Sequence, residues 1–115
     1  MAGPLDGVRI IDLTRVLAGP FCTMMLSDLG AEVIKVENPA VGDETRHFKT
    51  PGREGESPYF MAINRNKKSL ALDLQTPEGL EAALRLIATA DIVSENFKPG
   101  TMAKLGLDYA SLKAL

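Results

Sequence analysis

The chain has 115 residues, 45% of them hydrophobic and 24% charged, with 13 Lys+Arg against 15 Asp+Glu and a formal net charge of -2. This size fits one domain, the composition excludes a disordered tail, a collagen-like chain or a coiled coil, and the charge balance argues against a nucleic-acid or anionic-membrane binder. No apolar run reaches the roughly 18 residues that cross a bilayer, Asp6 and Arg9 interrupt the opening before a signal-peptide core forms, and Cys22 with His47 cannot build a disulfide or a structural metal site. The expectation is a soluble cytoplasmic domain.

Val8 to Leu13 (VRIIDL) is rich in β-branched residues and bounded by Gly7 and Thr14. Its nearly continuous apolar run predicts a strand covered on both faces, as in a parallel sheet. The turn TRVLAGP leads into PFCTMMLSDLG, where Pro20 suits a first helical position and Gly30 the residue past the helix end. Phe21, Met24, Met25 and Leu29 recur at helical spacing, and Cys22 among them reads as a buried structural thiol. Glu32 to Glu37 (EVIKVE) predicts a second strand and completes a βαβ unit.

Residues 38–58 hold three prolines, three glycines and many charges, which predicts a long flexible loop. PYFMAIN fits a short helix, and Ser69 to Asp73 a third strand. Thr76-Pro77-Glu78 is a strong helix start, with a capping hydroxyl, a proline at the first position and an acid toward the positive end of the dipole. Leu80, Ala83, Leu84 and Ile87 give that helix its apolar stripe. Asp91 to Ser94 predicts a fourth strand. Thr101 to Leu105 predicts a helical turn closed by Gly106, and Asp108 a cap for a last helix through Leu115. The fold class is therefore α/β: one domain over 1–115, an open parallel Rossmann-like sheet with flanking helices. Ligands bind such sheets outside the carboxyl ends of the strands, here loops 14–20, 38–48, 73–76 and 95–101.

The motifs narrow the chemistry. Glu37 ends the second strand, where a dinucleotide fold places its ribose-binding acid, but G-x-G-x-x-G and G-x-x-x-x-G-K-[ST] are both absent. A nicotinamide or flavin site is disfavoured, and Glu37 reads as a solvated strand end. No G-x-S-x-G nucleophile elbow is present, His47 sits in a charged loop, and Asp12, Asp28 and Asp43 have no acid partner at fixed spacing. The basic tract Arg65, Lys67, Lys68 is either a solvated loop or an attractor for a phosphorylated ligand. Asn96-Phe97-Lys98 offers an amide, a ring and a charge suited to an adenine nucleotide, although Phe97 equally fits a loop anchor.

P-L-D-G-V-R-I-I-D-L-T-R-V-L-A-G-P-F (4–21), D-L-G-A-E-V-I-K-V-E (28–37), G-D-E-T-R (42–46), N-R-N-K-K-S (64–69) and E-N-F-K-P-G (95–100) resemble the family III CoA-transferases, in the family's order and across essentially the whole chain. The resemblance implies coenzyme A or an acyl-CoA as substrate rather than a permanently bound cofactor, a small carboxylic acid as the second substrate, and a homodimer of interlocked subunits or self-association. It implies CoA contacts from Val16, Leu17 and Ala18 in the first turn, from Leu72, Asp73, Leu74 and Gln75 after the third strand, and from Asn96, Phe97 and Lys98 after the fourth. Asn38 and Gln75 stand where the family often carries a basic residue, Lys104 replaces a frequent Arg, and Phe48 falls where an aromatic borders the acyl pocket. Family members are several times longer. Their nucleophilic aspartate, which forms an acyl anhydride and then a CoA thioester, matches none of the aspartates here, so the resemblance implies no catalytic residue in this chain and an N-terminal CoA-binding portion. An acyl-CoA racemase of the same fold and a non-catalytic CoA-binding or assembly module are the alternatives. The full-length stretch between the G-D-x-x-R block and the basic tract favours the transferase.

Overall fold

The computed structural model describes residues 2–115. Four strands, β1 (Arg9–Asp12), β2 (Glu32–Glu37), β3 (Lys68–Ala71) and β4 (Ile92–Ser94), form one sheet in the order β3-β2-β1-β4. Every neighbouring pair is parallel, with Ile11 opposite Ile34 and Val93, and Lys35 opposite Ser69. The helices are α1 (Ala18–Asp28), α2 (Pro58–Ile63), α3 (Pro77–Ile87), α4 (Thr101–Leu105) and α5 (Tyr109–Leu112). This is the α/β architecture that the element order predicts, with β2 at its expected bounds and the other strands differing at their ends by one or two residues.

Alternation along the strands divides the core between two faces. On one face Ile11, Leu13, Val36, Ile87 and Leu107 form a buried cluster flanked by Leu80 and Leu84 of α3 and by Met102 and Leu105 of α4. On the other, Ile10, Ala31 and Val33 pack with Leu5, Val8 and Leu26. Toward the carboxyl ends of β1 and β2 this second face becomes polar: Asp12, Lys35 and Glu37 are all buried.

Local signals end the helices as expected. Gly30 follows α1 at φ 109°, and Gly106 closes α4 at φ 71°, conformations that glycine adopts without strain. The Thr76 hydroxyl accepts the Gly79 N–H at 3.1 Å at the head of α3. Gly79 has a packing role as well, because a Cβ there would run into the Asp73 carbonyl.

Three local expectations change. α1 begins at Ala18, which places Pro20 third in the helix, still inside the first turn where no N–H partner is needed. α5 spans only four residues, and the Asp108 side chain accepts from the Ser111 hydroxyl instead of capping a backbone N–H. Of the four apolar residues at helical spacing here, only Met24 is buried, while Phe21, Met25 and Leu29 are half-exposed. Thr23, Met24 and Ser27 are the buried side of α1, and Cys22 is exposed rather than a buried thiol.

Candidate functional site

β1 is followed in sequence by β2 on one side, while β4 joins it on the other, so the loops after β1 and β4 part at the top of the sheet. This is the topological switch point where open α/β sheets bind ligands. Asn96 bridges the two loops. Its Oδ1 accepts the Arg15 N–H at 3.0 Å and its Nδ2 donates to the Arg15 carbonyl at 2.8 Å. The Arg15 guanidinium lies 5.4 Å from the Phe97 ring centroid, within cation–π range.

Beside these loops, and bounded also by those after β2 and β3, lies a cleft of about 370 Å³. Its apolar wall includes Leu13, Val36, Leu72, Leu74, Phe97 and Leu105, and Arg15, Asn38, Asp73 and Gln75 stand among its polar lining. Lys98 and Lys104 are exposed on either side of Thr101, which itself lines the cleft. Three residues beyond Arg15, which lines the cleft, α1 starts without a side-chain cap and without an acid in its first turn, unlike α2 and α3, which are capped by Ser57 and Thr76. Its first amides are therefore open to an anionic or carbonyl oxygen. A larger hollow of about 550 Å³ beside β4 and α5 is lined by none of the residues for which the resemblance implies a CoA contact. The switch-point cleft is thus the candidate site.

Three ion pairs underlie it. Lys67 Nζ lies 3.0 Å from Asp12 Oδ2, with both side chains at 2% exposure or less, and Lys35 Nζ lies 2.8 Å from Asp43 Oδ2. Arg46 donates through Nε and Nη2 to the two oxygens of Glu37, each at 2.7 Å, and stacks 3.9 Å over the Phe60 ring. Burial pushes the Glu37 carboxyl up, but Arg46, the Ser69 hydroxyl and the Asp43 N–H outweigh it and hold the pKa at about 2. Asp43 is likewise lowered: burial opposes, while Lys35 and the Thr45 N–H and hydroxyl prevail. For Lys67 desolvation dominates over the attraction of Asp12 and lowers the ammonium's pKa.

The sequence-derived residues divide accordingly. Asn38, Leu72, Asp73, Leu74, Gln75 and Phe97 line the cleft together. Val16, Leu17 and Ala18 form the turn into α1, and Asn96 acts through the Arg15 backbone. Phe48 does not line the cleft; it is half-exposed and meets the Tyr59 ring edge-on at 5.4 Å. Glu37 is a buried, paired carboxylate rather than a solvated strand end, because Arg46 and Ser69 converge on it. The basic tract is paired within the chain, Arg65 with Asp28 at 2.6 Å, Lys67 with Asp12 and Lys68 with Glu32 at 2.6 Å, and only the Lys67 side chain is buried. Asp12, Lys35 and Asp43 were not singled out as site residues. The available signal was Lys35, a charge inside the apolar run of a strand that a parallel sheet covers on both faces.

A profile of CoA-transferase family III matches residues 5–115. The chain belongs to this family. Among curated relatives, the succinyl-CoA:glutarate CoA-transferase of Mus musculus is 53% identical over 109 residues, covering 95% of this chain and 25% of that protein. The succinate–glutarate CoA-transferase of Agrobacterium fabrum is 52% identical over 118 residues, covering 97% of this chain and 30% of that protein. A solved CAIB/BAIF family protein from Brucella suis superposes with a TM-score of 0.92 at 50% identity, covering 99% of this chain and 31% of that one. The chain thus spans between a quarter and a third of the length of these relatives.

Proposed function

We propose that this chain binds the CoA moiety of an acyl-CoA at the switch-point cleft, as part of an enzyme that moves CoA between an acyl-CoA and a carboxylic acid. The observation that carries the reading is the grouping of Asn38, Leu72, Asp73, Leu74, Gln75 and Phe97 in one cleft of a family III fold. Apolar walls with an aromatic ring suit the adenine and pantetheine portions. Arg15 in the lining suits a phosphate, the exposed Lys98 and Lys104 near Phe97 and Thr101 in the chain add positive charge, and the uncapped start of α1 suits an oxygen of the thioester arm. Phe48 is assigned to the acyl end. The activities for which these relatives are named favour succinyl-CoA as donor and a short dicarboxylic acid as acceptor.

The proposed chemistry is covalent catalysis by an aspartate carboxylate. The carboxylate attacks the thioester carbonyl, the C–S bond breaks, and CoA leaves as thiolate with an acyl-aspartyl anhydride in place. The thiolate attacks the aspartyl carbonyl of the anhydride, releasing the donor acid as carboxylate and leaving an enzyme thioester. The acceptor carboxylate then attacks that thioester and expels the thiolate, which takes the acceptor's acyl group and frees the aspartate. In this scheme the present residues bind and orient CoA, and none of their carboxylates is the nucleophile.

Calorimetric titration of the chain with CoA tests the reading. Binding is expected, with Phe97→Ala and Lys104→Ala each weakening it by about threefold to tenfold, as loss of a ring contact or a charged contact implies. The chain alone is expected to show no acyl exchange above a protein-free control. Absence of binding heat at millimolar CoA, or affinities indifferent to both substitutions, would overturn the assignment.

A further inference from the structure

Five consecutive backbone polar groups in the turn after β1 are each held by a side chain rather than by neighbouring backbone. The Thr14 N–H donates to Asp12 Oδ1 at 2.9 Å, and the Thr14 carbonyl accepts the buried Lys35 ammonium at 2.9 Å. Asn96 takes both Arg15 groups. The Val16 N–H points to Asp43 Oδ1 at 3.4 Å, and Val16 itself sits at φ 71°, a left-handed conformation that a β-branched residue rarely adopts. Such a conformation persists only where its surroundings over-determine it.

Asp43 comes from the G-D-E-T-R block, 27 residues away from Val16. Its own position is set from three sides. The Thr45 N–H and hydroxyl donate to Oδ1 at 2.9 and 2.8 Å, Lys35 faces Oδ2 at 2.8 Å as an ion pair rather than a well-directed hydrogen bond, and the Asp43 N–H donates to Glu37 at 3.0 Å. Both side chains of the pair are at most 1% exposed. A buried ammonium and carboxylate need each other and every further partner they can reach. Here the further partners are the turn's own carbonyl and N–H.

We infer that Lys35 and Asp43 are positioning residues: they clamp the Thr14–Val16 turn in its strained form and so fix where the following Leu17–Ala18 amides are presented at the head of α1. That this turn serves CoA rests on the function proposed above; that the pair holds the turn does not.

Residue-resolved amide hydrogen exchange on the intact chain, with CoA titration alongside, tests the clamp. Asp43→Asn keeps the shape and removes the charge. The double change Lys35→Met with Asp43→Asn also removes the unpaired ammonium, in case the single variant does not fold. In either folded variant the Val16 amide is expected to exchange at least about tenfold faster while Ile11 and Val33 stay within about twofold, and CoA affinity is expected to fall by about tenfold. A Val16 rate unchanged in a folded variant, or strand amides accelerating in equal proportion, would overturn the inference. So would a Val16 amide in the unaltered chain that exchanges at the free-loop rate, a result that needs no variant. Failure of the unaltered chain to bind CoA, with the Val16 effect intact, would reject the CoA reading and leave the clamp standing.

Discussion

Replacing Glu37 by Gln keeps the size of the side chain and removes its charge, which makes acid stability a direct reading of the Glu37–Arg46 pair. The carboxyl is held at about 2 against an ordinary 4.5, because the donors around it outweigh its burial. At about 1.36 kcal/mol per pKa unit, that difference corresponds to roughly 3 kcal/mol of folding stability. The Arg46 side chain is 36% exposed, and solvent screening reduces the figure to about 2 kcal/mol. The folded-state pKa lies below the unfolded one, so the contribution is complete above about pH 4.5 and disappears as the pH falls toward about 2. Urea denaturation of Glu37→Gln should therefore show a loss of about 2 kcal/mol near pH 7, and the two chains should converge near pH 2. Asp43 also titrates low, but it does so in both chains, so their difference isolates Glu37. A loss of equal size at both pH values, or none near neutrality, would refute the reasoning.

The stretch 38–58 should divide rather than move as one flexible loop. Asp43, Thr45 and Ser57 are buried, and Glu44–His47 forms a 3-10 turn, whereas residues 49–56 are exposed throughout. Amide exchange is expected to be slow at Thr45 and Phe48 and near free-chain rates across 52–56; uniform behaviour over the whole stretch would count against this. We also expect the chain to self-associate through α1. Leu17, Phe21, Met25 and Leu29 recur every fourth residue on its outer side, each between 45% and 48% exposed. Light scattering should show a mass above that of one chain at high concentration and a shift toward monomer in Phe21→Ser; a sharply monomeric unaltered chain would dismiss it.

Local chemistry accounts for the elements that can be read from the residues alone. Thr76-Pro77 opens α3, Gly30 and Gly106 close α1 and α4, and VRIIDL and EVIKVE become neighbouring parallel strands, because capping, left-handed φ and buried β-branched runs act within a few residues. The cleft was legible to the extent that its residues lie at strand ends, where an α/β sheet places its loops. The fate of the charges was not. Asp12 meets Lys67 across 55 residues and Lys35 reaches Thr14 across 21, so a lysine in a strand and a lysine in a basic tract look alike until the sheet brings carboxylates to one of its faces. The same holds for α1. Apolar residues surround that helix, and spacing alone cannot say which of them meet the sheet. Only the packing of α1 on β1, β2 and α2 turned Met24 inward and left Phe21 and Met25 outside. Burial depends on partners distant in the chain, and the tertiary structure alone supplies them.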